Sequence, residues 1–130
     1  MTKKFIIIIC IVIFVSCKKT CKEDVTFKKY YFRMIDNISL YGKQFDTDSV
    51  VIFNDDEFSK FSKYSDYLSL LTNHKFRYTI IEQPIYLKHS DLEADIRDLK
   101  MWYEKNKCGM TVRISDSIVN GNLKKIVNCR

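Results

Sequence analysis

An uninterrupted apolar run near the start of the chain, Phe5 to Val15, constrains what this sequence can fold into more than any other feature. The run has eleven residues, whereas a helix that crosses a bilayer needs about 20 apolar residues. Lys3 and Lys4 precede it, and a small residue and a cysteine follow it. The run is too short for a spanning helix. It marks residues 1–16 as a segment separate from the predicted globular domain.

This layout resembles a bacterial lipoprotein signal peptide, with Phe14-Val15-Ser16-Cys17 at the position of the lipobox. The resemblance implies that the chain is cleaved after Ser16 and that Cys17 carries a lipid with fatty-acid chains such as palmitate. It also implies a membrane-anchored protein of the cell envelope, at the outer membrane or the periplasmic face, with exposure at the cell surface left open. An uncleaved anchor and an ordinary secretory signal remain the alternatives.

Residues 17–24 form a short polar segment, which we interpret as a tether between the lipid and the domain. Within it, Lys22-Glu23-Asp24 resembles the export signal of surface lipoproteins in Bacteroidota. The predicted organisation is therefore a signal peptide over 1–16, a tether over 17–24 and a single globular domain over 25–130. Removing the signal leaves 114 of the 130 residues, which is enough for one domain with its own core.

The charge balance excludes one class of partner. Loss of Lys3 and Lys4 lowers the formal net charge from +6 to +4. So mild an excess, together with an envelope location, argues against nucleic acid. The expected partners are the membrane, through lipidated Cys17, and another protein; no cofactor is indicated.

The first half of the domain gives one ambiguous segment and one strand. Between Val25 and Tyr41 apolar residues recur at helical spacing, although the aromatic composition also suits a strand. We prefer the helix, with Gly42 as its cap. Ser49 to Phe53 predicts a buried strand.

A second helix and a second strand follow. Asn54 or Asp55 can cap the helix, which should end near Asn73 and bury a stripe of five residues: Phe58, Phe61, Tyr64, Leu68 and Leu71. Phe76 to Glu82 predicts a strand that Pro84 ends.

The segment from Asp91 to Asn106 has the clearest helical pattern. Ser90 and Glu93 form a capping-box sequence, and Glu93 precedes Arg97 by one turn, the favourable order for an ion pair. The apolar stripe contains Leu92, Ile96, Leu99, Trp102 and Tyr103. It predicts that Trp102 lies in the core, against a sheet.

The last segment predicts a β-hairpin, because Asn120-Gly121 is the favoured pair for a two-residue turn. That register sets Cys129 opposite Val112, about 13 Å beyond Cys108, which is too far for a disulfide. Cys108 and Cys129 should therefore not be bonded to each other. Cys21 is then a candidate partner for one of them, and the connectivity stays open.

These elements predict an α+β fold. The expected architecture is a small single domain in which two or three helices pack on a short sheet and the chain ends in a β-hairpin.

Catalytic and metal signatures are missing from the sequence. His74 and His89 each lie in a loop context, and Cys108 with His89 as its base is disfavoured because Cys108 follows a helix C-terminus. Three groups of carboxylates are more simply explained as solvated faces or helix starts than as metal sites: Asp46 with Asp48, Asp55 to Glu57, and Asp91 with Asp95 and Asp98.

Aromatic content is the remaining clue, with eight Tyr, nine Phe and one Trp. Tyr and Trp often anchor protein interfaces. We take Trp102, Tyr103, Tyr64 and Tyr67 as candidate binding residues, against the alternative that they belong to the core.

The sequence therefore favours a lipid-anchored envelope protein with a non-enzymatic binding role, such as an immunity protein or inhibitor. The alternative is a small envelope hydrolase that uses carboxylates or His89.

Overall fold

The computed structural model describes residues 21–44, 55–80 and 84–128. Along these ranges the chain forms helices α1, α2, α3 and α4 and a pair of very short strands, β1 and β2. In chain order the elements are α1 (Val25–Lys43), α2 (Asp55–Thr72), β1 (Thr79–Ile80), β2 (Pro84–Ile85), α3 (His89–Asn106) and α4 (Val112–Asn128).

The predicted α+β fold is wrong, because the described chain is mostly helical. Its sheet consists of two antiparallel strands, in which Thr79 lies opposite Ile85 and Ile80 opposite Pro84. So small a sheet cannot cover the apolar stripe of a helix, so the helices bury their stripes against one another. The strand predicted over 49–53 lies outside the described residues, and the strand predicted over 76–82 is reduced to β1 in its described part.

Helix α1 is the centre of the molecule, and the preference for a helix over a strand is confirmed. Asp24 caps it, because the carboxylate Oδ1 accepts a hydrogen bond from the backbone N–H of Phe27 at 2.6 Å. One face is buried along its whole length: Phe27, Tyr31, Met34, Ile35, Ile38 and Tyr41. Helices α2, α3 and α4 all pack against α1.

Gly42 does not cap α1 but lies within its last turn, where α3 comes close. A Cβ added to Gly42 would lie 2.6 Å from Cδ1 of Leu92. Any side chain at this position would force Leu92 to shift, so the glycine allows Leu92 of α3 to pack closely against α1.

Helix α2 lies where the sequence predicts it, but Phe58 and Tyr64 of the predicted stripe are only partly buried. It starts with three acidic residues in its first turn, where they complement the helix dipole. It ends at Thr72, immediately before Asn73, whose φ of 57° is left-handed. Its buried residues are Phe61, Ser65, Leu68 and Leu71.

Helix α3 extends two residues further at its start than predicted. The capping box does not form, because the N-cap is Lys88 and no side chain caps the helix. Trp102 also differs from its prediction: it is half-buried and stacks on Tyr31 of α1, with the ring centroids 5.6 Å apart, rather than on a sheet.

Helix α4 replaces the predicted C-terminal hairpin, which is wrong. Asn120-Gly121 lies inside the helix, and Gly121 does not have the positive φ that a type I′ turn requires. Thr111 caps the helix by accepting the Ile114 N–H at 3.2 Å. Asn122, on the face that meets α2, donates to the carbonyl oxygen of Leu70 at 2.8 Å.

A disulfide joins Cys21 to Cys108, with the Cα atoms 5.2 Å apart. Cys108 is therefore not bonded to Cys129, as predicted, but the hairpin register that gave this prediction does not exist. Glu23 pairs with Cys108 in a β-bridge, and its carboxylate accepts a hydrogen bond from the Tyr103 hydroxyl at 2.5 Å. The described part of the predicted tether, residues 21–24, is therefore held against the domain.

Candidate functional site

A fully buried carboxylate, Asp95, lies at the centre of the most extensive polar cluster that the described residues form around one side chain. Its Oδ1 accepts hydrogen bonds from Nε2 of His74 at 3.0 Å and from a guanidinium nitrogen of Arg77 at 2.5 Å. Its Oδ2 accepts from the backbone N–H of Arg77 and from the Tyr86 hydroxyl, both at 2.9 Å. Each carboxylate oxygen thus has two donors.

The cluster keeps Asp95 ionised. Burial raises the pKa of Asp95, but the hydrogen bonds from His74, Arg77 and Tyr86 together lower it by more, so this pKa lies below its usual value. Burial and the nearby charge of Asp95 raise the pKa of Tyr86, which stays a hydrogen-bond donor. Because an ionised carboxylate only accepts, the His74 ring must carry its proton on Nε2.

The hydrogen bonds to Asp95 hold the loop after α2, and Tyr86 just after β2, against α3. Both carboxylate oxygens are fully used by these donors, so neither is available to bind a substrate or to transfer a proton. The second guanidinium nitrogen of Arg77 binds Asp98 at 2.9 Å, so Arg77 is committed as well. We therefore assign Asp95 a structural role. The interpretation of Asp91, Asp95 and Asp98 as one solvated face is wrong for Asp95. The available signal was its position between Leu92 and Leu99, within the apolar stripe.

The remaining candidates from the sequence are dispersed. His74 lies in the Asp95 cluster, while His89 starts α3 and contacts Glu93 at 3.3 Å. Cys108 is in a disulfide and has no free thiol. Asp46, Asp48 and Cys17 lie outside the described residues. Among the described residues no group of three or more His, Cys, Asp and Glu side chains could hold a metal ion.

The aromatic candidates do not share one exposed surface. Tyr103 is fully buried. Trp102 and Tyr64 are half-buried against the core. The Tyr67 hydroxyl bonds the side chains of Ser115 and Asp116 on α4, at 2.8 and 2.7 Å. These contacts give the aromatic residues a packing role and match the core alternative for Tyr103.

An open groove of about 780 Å³ lies between α3 and the C-terminal half of α1, and we call it the α1–α3 groove. Leu92, Ile96 and Met101 provide its apolar lining. Its volume falls in the range of about 300–1,000 Å³ that is usual for ligand sites. Ser39 and Lys43 line it from α1, and the other lining residues, His89 among them, belong to α3.

The α1–α3 groove is positively charged. Four basic side chains line it, Lys43, Arg97, Lys100 and Lys105, against two acidic ones, Glu93 and Glu104, which gives a net charge of +2.

The two acidic residues of the α1–α3 groove already have partners. Glu93 contacts His89 instead of forming the predicted ion pair with Arg97, and Glu104 binds Lys107 at 2.6 Å. None of the ion pairs between described residues includes any of the four basic lining residues. The sequence reasoning missed this groove, because it depends on how closely α1 approaches α3.

Comparison with known proteins gives no relative for this chain. No protein family model, no curated protein and no solved structure matches it. Within the described residues, no helix has both the length and the apolar character needed to cross a membrane.

Proposed function

We propose that this chain is a lipid-anchored protein of the cell envelope that acts by binding another protein. The N-terminal pattern up to Cys17 supports the anchor. The α1–α3 groove supports the binding role and is the observation that carries it, because it joins an apolar lining to basic side chains without ion-pair partners in the described residues. An envelope immunity protein or inhibitor is one concrete form of this role, by analogy of size and location.

The disulfide limits how far the folded domain can lie from a lipid on Cys17. Four residue steps separate Cys17 from Cys21, a reach of at most about 14 Å. Cys21 is bonded to Cys108, just after the C-terminus of α3. A lipid on Cys17 would therefore keep this end of the domain close to the membrane, with His89 about 26 Å away at the other end of α3.

Metabolic labelling with a fatty-acid probe tests the anchor. We expect the label on the wild-type protein and its loss from Cys17→Ala, because the substitution removes the sulfur that would carry the lipid. The acyl chains bury about 0.8 kcal/mol per CH₂ and so would make a durable membrane anchor. Equal labelling of the two proteins would refute lipidation at Cys17.

Photo-crosslinking in cells tests the binding role. A photoreactive amino acid in place of Met101, in the α1–α3 groove, should give a discrete cross-linked protein. The same amino acid in place of Lys124, exposed on α4, serves as the control and should not give that product. Identical patterns at the two positions would contradict a role for the groove.

The alternative hydrolase would need catalytic residues other than Asp95, whose oxygens are all occupied. His89 and Glu93 are the pair it could use, since they lie on successive turns of α3 at the groove. His89→Ala would abolish the activity of such an enzyme, whereas a binding role through the basic residues should survive it.

A further inference from the structure

The shape of the α1–α3 groove indicates an elongated occupant. Its α3 lining residues recur at helical spacing from His89 to Lys105. Sixteen residue steps correspond to about 24 Å at 1.5 Å per residue, or roughly four helical turns. A globular ligand would use only part of such a surface, whereas a helix of similar length would lie along all of it.

The distribution of charge indicates several anionic groups rather than one. Arg97, Lys100 and Lys105 lie on successive turns of α3, and Lys43 approaches from α1. The charge on Arg97 and that on Lys105 are separated by eight residues, or about 12 Å along the helix axis. One lipid headgroup cannot reach all of them, but carboxylates repeated along a helix can.

The apolar lining supplies the other half of the recognition. Ile96 and Met101 provide the apolar surface of the α1–α3 groove that a ligand can reach, because Leu92, which also lines it, is only 2 % exposed. The apolar face of an amphipathic helix can pack on such a surface. Met101 is 47 % exposed, and its flexible side chain can adapt to the partner. Leu92 lies against Gly42 of α1 and is buried, so it packs the two helices together rather than contacting a ligand.

We infer that the α1–α3 groove binds an acidic amphipathic helix of a partner protein, with its apolar side on Ile96 and Met101 and its carboxylates on the basic residues. This inference rests on the binding role proposed above and names the class of partner. Acidic side chains on one helix would compensate the net charge of the groove.

A designed peptide provides the test. The probe is a fluorescent helix of about sixteen residues, with leucine on one face and glutamate beside it, and it is titrated into the purified full-length chain in detergent. Fluorescence anisotropy should show saturable binding that weakens at least about tenfold between about 50 and about 300 mM salt, since exposed charges are increasingly screened. The same peptide with lysine in place of glutamate should not bind.

Charge-reversal variants locate the site. Arg97→Glu with Lys100→Glu should weaken peptide binding at least about tenfold. Lys63→Glu with Lys124→Glu makes the same change of net charge at exposed positions of α2 and α4, and should leave binding within about twofold. Circular dichroism should show equal helix content in both variants. Met101→Ser should weaken binding at every salt concentration, because it removes an apolar contact.

Several results would overturn this inference. The inference is wrong if the acidic peptide does not bind, if the lysine peptide binds equally well, or if the two double variants weaken peptide binding equally. Anionic lipid vesicles provide the competing ligand: if they displace the peptide, and the groove variant alone loses vesicle binding, the site recognises lipid. A failed peptide titration with a positive cross-link at Met101 would reject the acidic helix and leave the binding role standing.

Discussion

Helices α3 and α4 follow one another in the chain but are fixed in different ways. Helix α3 buries Leu92, Leu99 and Tyr103 at most 2 % exposed, and holds a fully buried carboxylate at Asp95. A neighbouring face of the same helix, which shares Leu92 with the core, lines the α1–α3 groove. One helix therefore supplies both the most heavily satisfied polar group and the candidate binding surface.

Helix α4 has a weaker apolar contact with the core. Ser115 and Val119 are its buried residues in the described chain, while three apolar side chains near its end are 43–69 % exposed: Leu123, Ile126 and Val127. Polar contacts with α2, from Tyr67 and Asn122, help to hold it. The comparison shows that α3 is stabilised by burial along its whole length, whereas α4 depends more on a few specific polar contacts with α2.

Asp95→Ala should have the largest effect. Removing the carboxylate leaves His74, Arg77 and Tyr86 without their common acceptor, and breaking a buried ion pair costs about 3–5 kcal/mol. Urea unfolding measures the loss. Asp98→Ala is the matched control, because Asp98 is partly exposed and binds only Arg77 among the described residues; it should cost less than about 1 kcal/mol. Equal losses would show that Asp95 does not secure the fold.

The same carboxylate predicts an acid dependence. The pKa of Asp95 is lower in the folded chain than in the unfolded chain, so its contribution is present above the unfolded pKa of about 4. The contribution is lost as the pH falls through the folded pKa. Asp95→Asn, which does not titrate, should show a flatter decline of stability below about pH 4 than the wild type. Parallel curves would mean that Asp95 is not the group responsible.

The disulfide should have the next largest effect. It joins residues separated by 87 positions, and closing a long loop stabilises a folded chain by about 2–4 kcal/mol. Cys21→Ser with Cys108→Ser should lower the melting temperature accordingly, and a reducing agent should lower that of the wild type. A reducing agent that still destabilises the double variant would indicate a different bond.

Trp102→Ala tests the outer part of the α3 core. Trp102 is half-buried on Tyr31, so the cost should be about 2–3 kcal/mol, below the range for a fully buried tryptophan. The neighbouring Met101→Ala, at a position 47 % exposed, should change stability by less than about 0.5 kcal/mol. Similar melting temperatures for Trp102→Ala and wild type would mean that Trp102 belongs to the surface.

Gly121→Ala has the smallest expected effect, and it separates a helix from a hairpin. In α4 a methyl group at Gly121 meets open space, so alanine should stabilise the protein by about 0.5–1 kcal/mol. In a type I′ turn the same change would destabilise it, because that position needs a positive φ. Gly109→Ala is the control and should destabilise, since Gly109 has a φ of 80°.

Local sequence predicted α2 and α3 and favoured a helix over a strand for α1. Their apolar residues recur at helical spacing, with acidic residues in the first turn of α2 and a left-handed Asn73 at its end. Each signal acts within one or two turns, so no distant contact is needed to interpret it. Only the start of α3 shifted, from Asp91 to His89, because the Ser90–Glu93 capping box did not form.

The prediction of a hairpin in place of α4 was wrong because a strong local turn signal competed with contacts that form only in the folded chain. Asn120-Gly121 favours a turn in isolation, and the inward side of α4 contains Ser115 and Asn122, which do not mark a core face. Their partners, Tyr67 and the carbonyl of Leu70, lie about fifty residues away in the chain. The cap at Thr111 was the available sign of a helix.

By itself, the sequence predicted helices α2 and α3, favoured a helix for α1, and contained the N-terminal pattern on which the lipid anchor is proposed. Tertiary structure alone decided the helical state of α4, the Cys21–Cys108 pair, the Asp95 cluster and the α1–α3 groove. The reason is the separation along the chain between the residues that interact. Helical periodicity and capping act between residues a few positions apart, whereas His74, Arg77 and Tyr86 reach Asp95 only after the helices have packed.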